Sequence, residues 1–293
     1  MKKLCGYVVG FSLATALTGI AAAQDQSSSA MTPPKVLTIT REFVKPGKTG
    51  TTHDNAESAF VKAMTAAKSK SYYIGLDSVS GKLRSLFLTG YDSFDAWEKD
   101  QRAEQKDPTL GPAIERALAA DGTLLDAVDQ SVWVYREDQS RNQSGAIGDA
   151  RYMEFEVFRL KPGHEGDWAA AVKLVQDAYA KGVPEGHWAM YQLVFGGSPS
   201  YVVITPLKSA AEIDQNFMAD KKFVEALGAD GMKKLSELSA AAIESLEVQL
   251  FTMNPHMSYV SDEMAAEGPD FWRPKARAAK SSAAKPEAKP ATP

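Results

Sequence analysis

The sequence predicts an α+β protein built from two tandem copies of one β-α-β-β-α-β unit. Phe43-Val44-Lys45-Pro46-Gly47 recurs as Arg159-Leu160-Lys161-Pro162-Gly163, a shift of 116 residues. The same ungapped shift carries Gly81 onto Gly197, Thr89 onto Thr205, Ser93 onto Ser209 and Val132 onto Val248. In both copies the hydrophobic pattern switches between strand and helix periods in the same order, so two copies of one unit explain the chain better than one irregular domain.

The first copy is expected over 35–138. Val36 to Phe43 alternates and is rich in β-branched residues, which predicts a strand ended by Lys45-Pro46-Gly47. Ala56, Ala59, Phe60, Ala63, Met64 and Ala67 have helical spacing within 53–68. Ser71–Leu76 and Leu83–Leu88 read as a hairpin about Ser80-Gly81. Asp92 or Ser93 can cap a helix that includes Phe94 and Trp97. A further helix over 113–128 and a closing strand from Ser131 to Tyr135 complete the unit.

The second copy, expected over 151–254, follows suit. Its elements are a strand at 152–160, a helix at 165–180, a hairpin of 187–194 with 201–204, helical stretches at 221–227 and 229–243, and a strand at 246–251. Ser209 can cap the helix near Ile213 and Phe217. Polar residues 139–150 read as a linker.

Lys2 and Lys3, an apolar run from about Tyr7 to Ile20, and Ala21-Ala22-Ala23 read as a secretory signal peptide cut after Ala23. A periplasmic or secreted location follows as an expectation, with 24–34 a disordered lead-in. Cys5 is the only cysteine and lies in the leader, so the mature chain has no disulfide and no thiolate ligand. No later apolar run is long enough to span a bilayer, so no stable membrane insertion is expected after cleavage. A C-terminal extension over 255–293 turns Ala/Lys/Pro-rich from about 273 and should be disordered there.

That tail carries +5 and the leader +2, which places the body between them near −11 within the overall −4. An acidic body argues against nucleic-acid binding through a basic face. The basic tail is suited at most to weak contact with an anionic envelope polymer.

The element order is the ferredoxin-like split β-α-β, a four-stranded antiparallel sheet with helices on one face. Leu37, Ile39, Arg41 and Phe43, with Met153, Phe155, Val157 and Arg159, are expected to face the helices. Thr38, Thr40 and Glu42, with Glu154, Glu156 and Phe158, are then placed on the other face. Trp133, Tyr135, Glu247, Gln249 and Phe251 of the closing strands are assigned to that same second face, which would make it a mixed aromatic and acidic surface.

With two Lys-Pro-Gly turns ending the first strands, followed by helix, hairpin, helical region and last strand, the chain resembles the dimeric α+β barrel superfamily. It is nearest in type to NIPSNAP-like and antibiotic-biosynthesis-monooxygenase-like domains. The resemblance covers about 36–136 and 151–253. It implies two sheets packed face to face, here as a barrel closed within one chain. It also implies a group containing cofactor-free oxygenases, haem-binding enzymes and members without known activity.

For chemistry, Glu154 and Glu156 share one strand face and can act together as a general acid or base. His187 can accept a proton or serve as an axial ligand. Tyr72, Trp133, Tyr135 and Trp188, with Glu247 and Gln249 and with Tyr201 near them, can line a space for a small organic ligand. Plain inter-sheet packing uses the same aromatics.

His53, His164, His187 and His256 show no metal-ligand spacing and no HExxH, so no metal site is predicted, and His53 reads as a solvated helix-end residue. No cofactor is predicted, with haem left open. Asp77 and Arg84 read as a surface pair at the first hairpin. P-loop, GxGxxG and GxSxG motifs are missing from the sequence.

The function expected is an exported protein that binds a small organic ligand between its sheets or is purely structural. The alternatives are a cofactor-independent monooxygenase-like or isomerase-like enzyme, and a cell-envelope interaction protein.

Overall fold

The computed structural model describes residues 32–142 and 147–273. The expected leader, most of the lead-in and the Ala/Lys/Pro-rich tail lie outside them.

In the first copy the elements are β1 (Val36–Val44), α1 (Thr51–Ala67), β2 (Tyr73–Ser78), β3 (Ser85–Tyr91), α2 (Phe94–Lys106), α3 (Leu110–Asp121) and β4 (Leu125–Tyr135). In the second they are β5 (Tyr152–Leu160), α4 (Glu165–Gly182), β6 (Ala189–Phe195), β7 (Ser200–Leu207), α5 (Ala211–Ala242) and β8 (Ile243–Met253). Two short helices follow, α6 (Asp262–Glu267) and α7 (Pro269–Trp272).

The eight strands close a barrel in the order β1-β3-β2-β8-β5-β7-β6-β4. Each copy contributes the antiparallel sheet of the split β-α-β fold, and β2·β8 and β4·β6 join the halves, so no sheet edge stays open along the joins. The duplication extends to irregularities. The β1–β4 register shifts between Phe43 and Val44, and the β5–β8 register shifts between Arg159 and Leu160, the same 116-residue offset. The predicted intramolecular α+β barrel is the fold observed.

Local signals act as the sequence suggests in several places. The Ser93 side chain accepts a hydrogen bond from the Ala96 N–H (3.1 Å) and caps α2. In α5, Gly228 at φ 70° breaks the helix at the boundary between the two stretches read from the sequence. Ser209 does not cap α5 with its side chain. Instead its carbonyl accepts from Glu212 N–H, while the Glu212 carboxylate accepts from Lys208 N–H. The helix expected over 113–128 ends at Asp121, and β4 begins at Leu125, so the closing strand is longer than its apolar segment implied.

The two faces of β1 and β5 are the reverse of the expectation. Leu37 stands opposite Trp133 across the β1–β4 ladder, and Phe155 stands opposite Gln249 across β5–β8. Directly paired residues share a face, so one assignment in each pair had to fail. Trp133 faces the barrel interior as expected, and it takes Leu37 and Ile39 in with it.

Leu37, Ile39, Leu76, Leu86, Met153 and Phe251 belong to one buried cluster that fills the middle of the barrel. Phe158 points outward and packs under α4 with Trp168, Val172 and Val175. The barrel interior is therefore a second dry core.

Arg84 also differs from its reading. It is 9% exposed, and its guanidinium lies between the Phe43 and Phe251 rings (5.8 and 5.7 Å to the centroids), away from Asp77. Asp77 instead accepts from Ser85 and Asn254.

Candidate functional site

Barrel packing is tight in the middle and loosens at one end. There Leu37, Ile74, Leu88, Met153, Tyr191 and Ile204 form the floor of a cavity of about 320 Å³. Its volume is at the lower end of the range typical of small-molecule sites.

The C-terminal extension builds the wall. Beyond Leu76, where β8 stops pairing with β2, the chain after β8 continues along the freed β2 edge. Asn254 N–H donates to Gly75 O (2.9 Å), and Tyr259 and Tyr73 exchange hydrogen bonds (2.8 and 3.0 Å). Gly75 must be glycine here, because a Cβ would lie 2.6 Å from Met257 O. Val260, Ser261 and Met264 thereby reach the cavity.

The extension is locked to the linker by Trp272 Nε1–H donating to Gly148 O (2.8 Å) and by the Arg151 guanidinium over the Phe271 ring (4.1 Å).

Of the residues proposed from sequence, Tyr72, Trp188 and His187 line this cavity. Tyr72 stacks on Tyr259 (5.4 Å between centroids). Trp188 is held by Nε1–H donating to Gln139 O (2.9 Å), and its ring packs edge-on against Tyr179. His187 Nε2 lies 3.4 Å from Pro206 O.

Trp133 and Tyr135 belong to the interior packing, Trp133 with Nε1–H bonded to Ser131 Oγ (2.8 Å) and Tyr135 tilted on Tyr191 (5.5 Å). Tyr201 lies under α4 against Trp168. Glu247 and Gln249 bond to each other (2.7 Å) on β8 and do not line the cavity.

Glu154 and Glu156 are buried on the helix side of β5, beneath α4, where their charges help push the Tyr179 hydroxyl above its usual range, burial being the larger cause. The sheet thickness separates them from the cavity. The described lining includes no Lys or Arg, so a haem would find one imidazole there and no partner for its carboxylates. These residues do not fit a haem.

A second concentration of chemistry escaped the sequence reading. Glu42 of β1, His53 and Glu57 of α1, and Asp121 at the end of α3 meet beneath the first copy's helices, and all four are buried. His53 is 1% exposed, not solvated. Its Nε2 lies 3.2 Å from Glu42 Oε2, 3.3 Å from Asp121 Oδ1 and 3.9 Å from Glu57 Oε1.

Burial raises Glu57 first, and the fields of Glu42 and Asp121 add to it, pushing its carboxyl up to about 9. Burial alone would depress His53, but hydrogen bonding to Asp121 and Glu42 and the nearby charges overcome it and push the imidazole up to about 10. Glu42 is raised by burial, against its hydrogen bond to His53.

The available signal was the His53-x-x-x-Glu57 spacing, which puts both side chains on one face of α1. That Glu42 and Asp121 join them depends on how β1, α1 and α3 pack.

No protein-family model matches the sequence, and no curated protein does. Among solved structures, an anthrone oxidase-like protein matches with TM-score 0.49 at 14% identity over 75% of this chain and 92% of its own. A candidate monooxygenase from Fusobacterium nucleatum matches with TM-score 0.47 at 13% identity over 76% and 94%. A chlorite dismutase from Candidatus Nitrospira defluvii, in complex with imidazole, matches with TM-score 0.43 at 11% identity over 80% and 95%. The fold itself rests on the strand order and register of this chain.

Proposed function

We propose that the protein binds one small, mainly apolar organic molecule in the cavity at the open end of the barrel. The carrying observation is the cavity itself: about 320 Å³, walled by aliphatic and aromatic side chains, with His187, Asn142 and Ser261 among its few polar contributors. Many apolar contacts with a few fixed polar groups are what such a ligand needs. The wall contributed by 260–264 belongs to the extension and not to the barrel strands.

An enzyme reading requires a proton-transfer group in the cavity, and Glu154 and Glu156 are on the wrong face of the sheet to supply it. His187 is the imidazole in the described lining and carries that reading alone. With the expected leader at 1–23, the ligand would be met outside the cytoplasm. Among the described residues no helix is long and apolar enough to cross a membrane.

Native mass spectrometry of the protein purified from its own host tests the reading, together with titration of an apolar fluorescent probe into the emptied protein. A retained small molecule, or saturable probe binding that Ile74→Trp weakens at least tenfold by filling the cavity, is expected. A bare chain that binds no probe saturably, or binds it equally well in the Trp variant, overturns the proposal.

A further inference from the structure

The first copy departs from the second at one buried place. The 116-residue offset carries Glu42 onto Phe158, while the helix that follows runs one residue out of step, so that the buried positions of His53 and Glu57 on α1 are matched on α4 by buried Trp168 and Val172. At those positions the second copy is apolar, with Phe158 fully buried against Trp168 (4.8 Å between centroids), although Glu154 and Glu156 are buried farther along the same face of β5. The fold therefore does not need polar groups there. Three carboxyl groups taken out of water without enough donors oppose folding, so their presence calls for a separate cause.

Two observations beyond the clustering point to a cation. Glu57 is 3% exposed, and its Oε1 has no hydrogen-bond partner, the nearest cationic group being His53 Nε2 at 3.9 Å. One donor atom from each of Glu42, His53, Glu57 and Asp121 lies within 4.8 Å of the other three.

The second observation is the orientation of the imidazole. Ser85 Oγ donates to Asp77 Oδ1 (2.8 Å), which leaves the serine oxygen to accept from His53 Nδ1–H (3.4 Å). Asp77 is fixed in turn by Asn254, which also holds Asp54. In neutral His53 this chain leaves the Nε2 lone pair directed at three carboxylates. That arrangement is repulsive unless a cation or a proton lies between them. A metal-ligating histidine is held in this way by the hydrogen bond from its other nitrogen.

We infer that Glu42, His53, Glu57 and Asp121 bind one divalent transition-metal ion that ties β1, α1 and α3 together. Hard oxygens with one imidazole suit Mn(II), Fe(II) or Zn(II) better than Ca(II). Ligand distances of about 2.0–2.2 Å put tetrahedral donors roughly 3.4 Å apart, so His53 and its nearer carboxylates already sit at that spacing and the widest separation in the cluster must close by about an ångström on binding. Four protein ligands, all buried, describe a closed structural site and not a catalytic one. The second copy meets the same demand with aromatic packing.

The test uses the mature full chain, stripped with a chelator and titrated separately with Mn(II), Zn(II) and Ca(II). One equivalent of Mn(II) or Zn(II) is expected to bind and raise Tm, with Ca(II) at least tenfold weaker. His53→Gln should lose at least a hundredfold in affinity. Ser85→Ala, which keeps every donor, should lose roughly ten- to a hundredfold. Mn(II) bound to the wild-type chain should show nitrogen coupling from one imidazole in pulsed electron paramagnetic resonance, a readout that stands even if His53→Gln does not fold. Failure of all three ions to bind stoichiometrically, bound Mn(II) without nitrogen coupling, or affinity unchanged in Ser85→Ala would each overturn the inference.

Discussion

Raising the pH should unfold the metal-free protein through the Glu42–His53–Glu57–Asp121 cluster, and Glu57→Gln should prevent much of that loss. His53 moves from 6.5 to about 10 and Glu57 from 4.5 to about 9 on folding. Both are 3% exposed or less, so solvent does little to screen them. In each case the folded state holds the proton more tightly than the unfolded chain. Stability from these groups is then complete below about pH 4.5 and is lost as pH rises to between 9 and 10.

At about 1.4 kcal/mol per tenfold change in proton affinity, either group alone corresponds to on the order of 5 kcal/mol. The two share the same oxygens, so their contributions do not add. Glu42 from β1, Asp121 from α3, Ser85 from β3 and the Tyr73 hydroxyl from β2 surround them and remain in the variant. Glutamine has the size of the protonated Glu57 side chain and cannot ionise. Urea unfolding in the presence of a chelator, followed by tryptophan fluorescence from pH 5 to pH 9.5, should show near-equal stabilities at the acid end. The Gln variant should gain several kcal/mol over wild type at the alkaline end. A difference between the two proteins that stays constant across this range would refute the reasoning.

Other parts of the structure give independent expectations. Gly75→Ala places a methyl group 2.6 Å from Met257 O; it should cost about 1–3 kcal/mol in chemical denaturation and raise protease sensitivity over 255–273. Phe251→Ala empties the fully buried centre of the barrel beside Phe155 and should cost roughly 3–5 kcal/mol in the same assay. Arg84→Met removes a buried cation that has no ion-pair partner among the described residues. The lost ring contacts are worth about 0.5–1 kcal/mol, less than the penalty of burying the charge, so a net stabilisation of about 1 kcal/mol is expected, read as a rise in Tm.

Much of this fold is legible from local chemistry. The Lys-Pro-Gly turns, the alternating strands and the repeat offset are properties of neighbouring residues, and they specify two split β-α-β units. An antiparallel sheet covered by helices on only one face can leave the other to water, to the sister copy or to another chain; the strand order shows that the two copies close on each other.

Local pattern does not establish the phase of β1 and β5, because both faces of these strands are buried. Leu37, Ile39, Phe155 and Phe158 are all apolar, so alternation offers two nearly equal answers. The partner strand decides between them when the ladder sets Leu37 beside Trp133. Of the residues the sequence offers for a ligand space, Tyr72, His187 and Trp188 stand on the cavity wall, and Trp133, Tyr135, Glu247 and Gln249 do not. The cavity's place at one end was set by the extension after β8, a segment whose composition says little about where it docks. The carboxylate–histidine cluster joins residues as far apart as Glu42 and Asp121. Only the packing of a strand against two helices brings such separated side chains to one point, because spacing along the chain records the geometry of a single element and not the meeting of three.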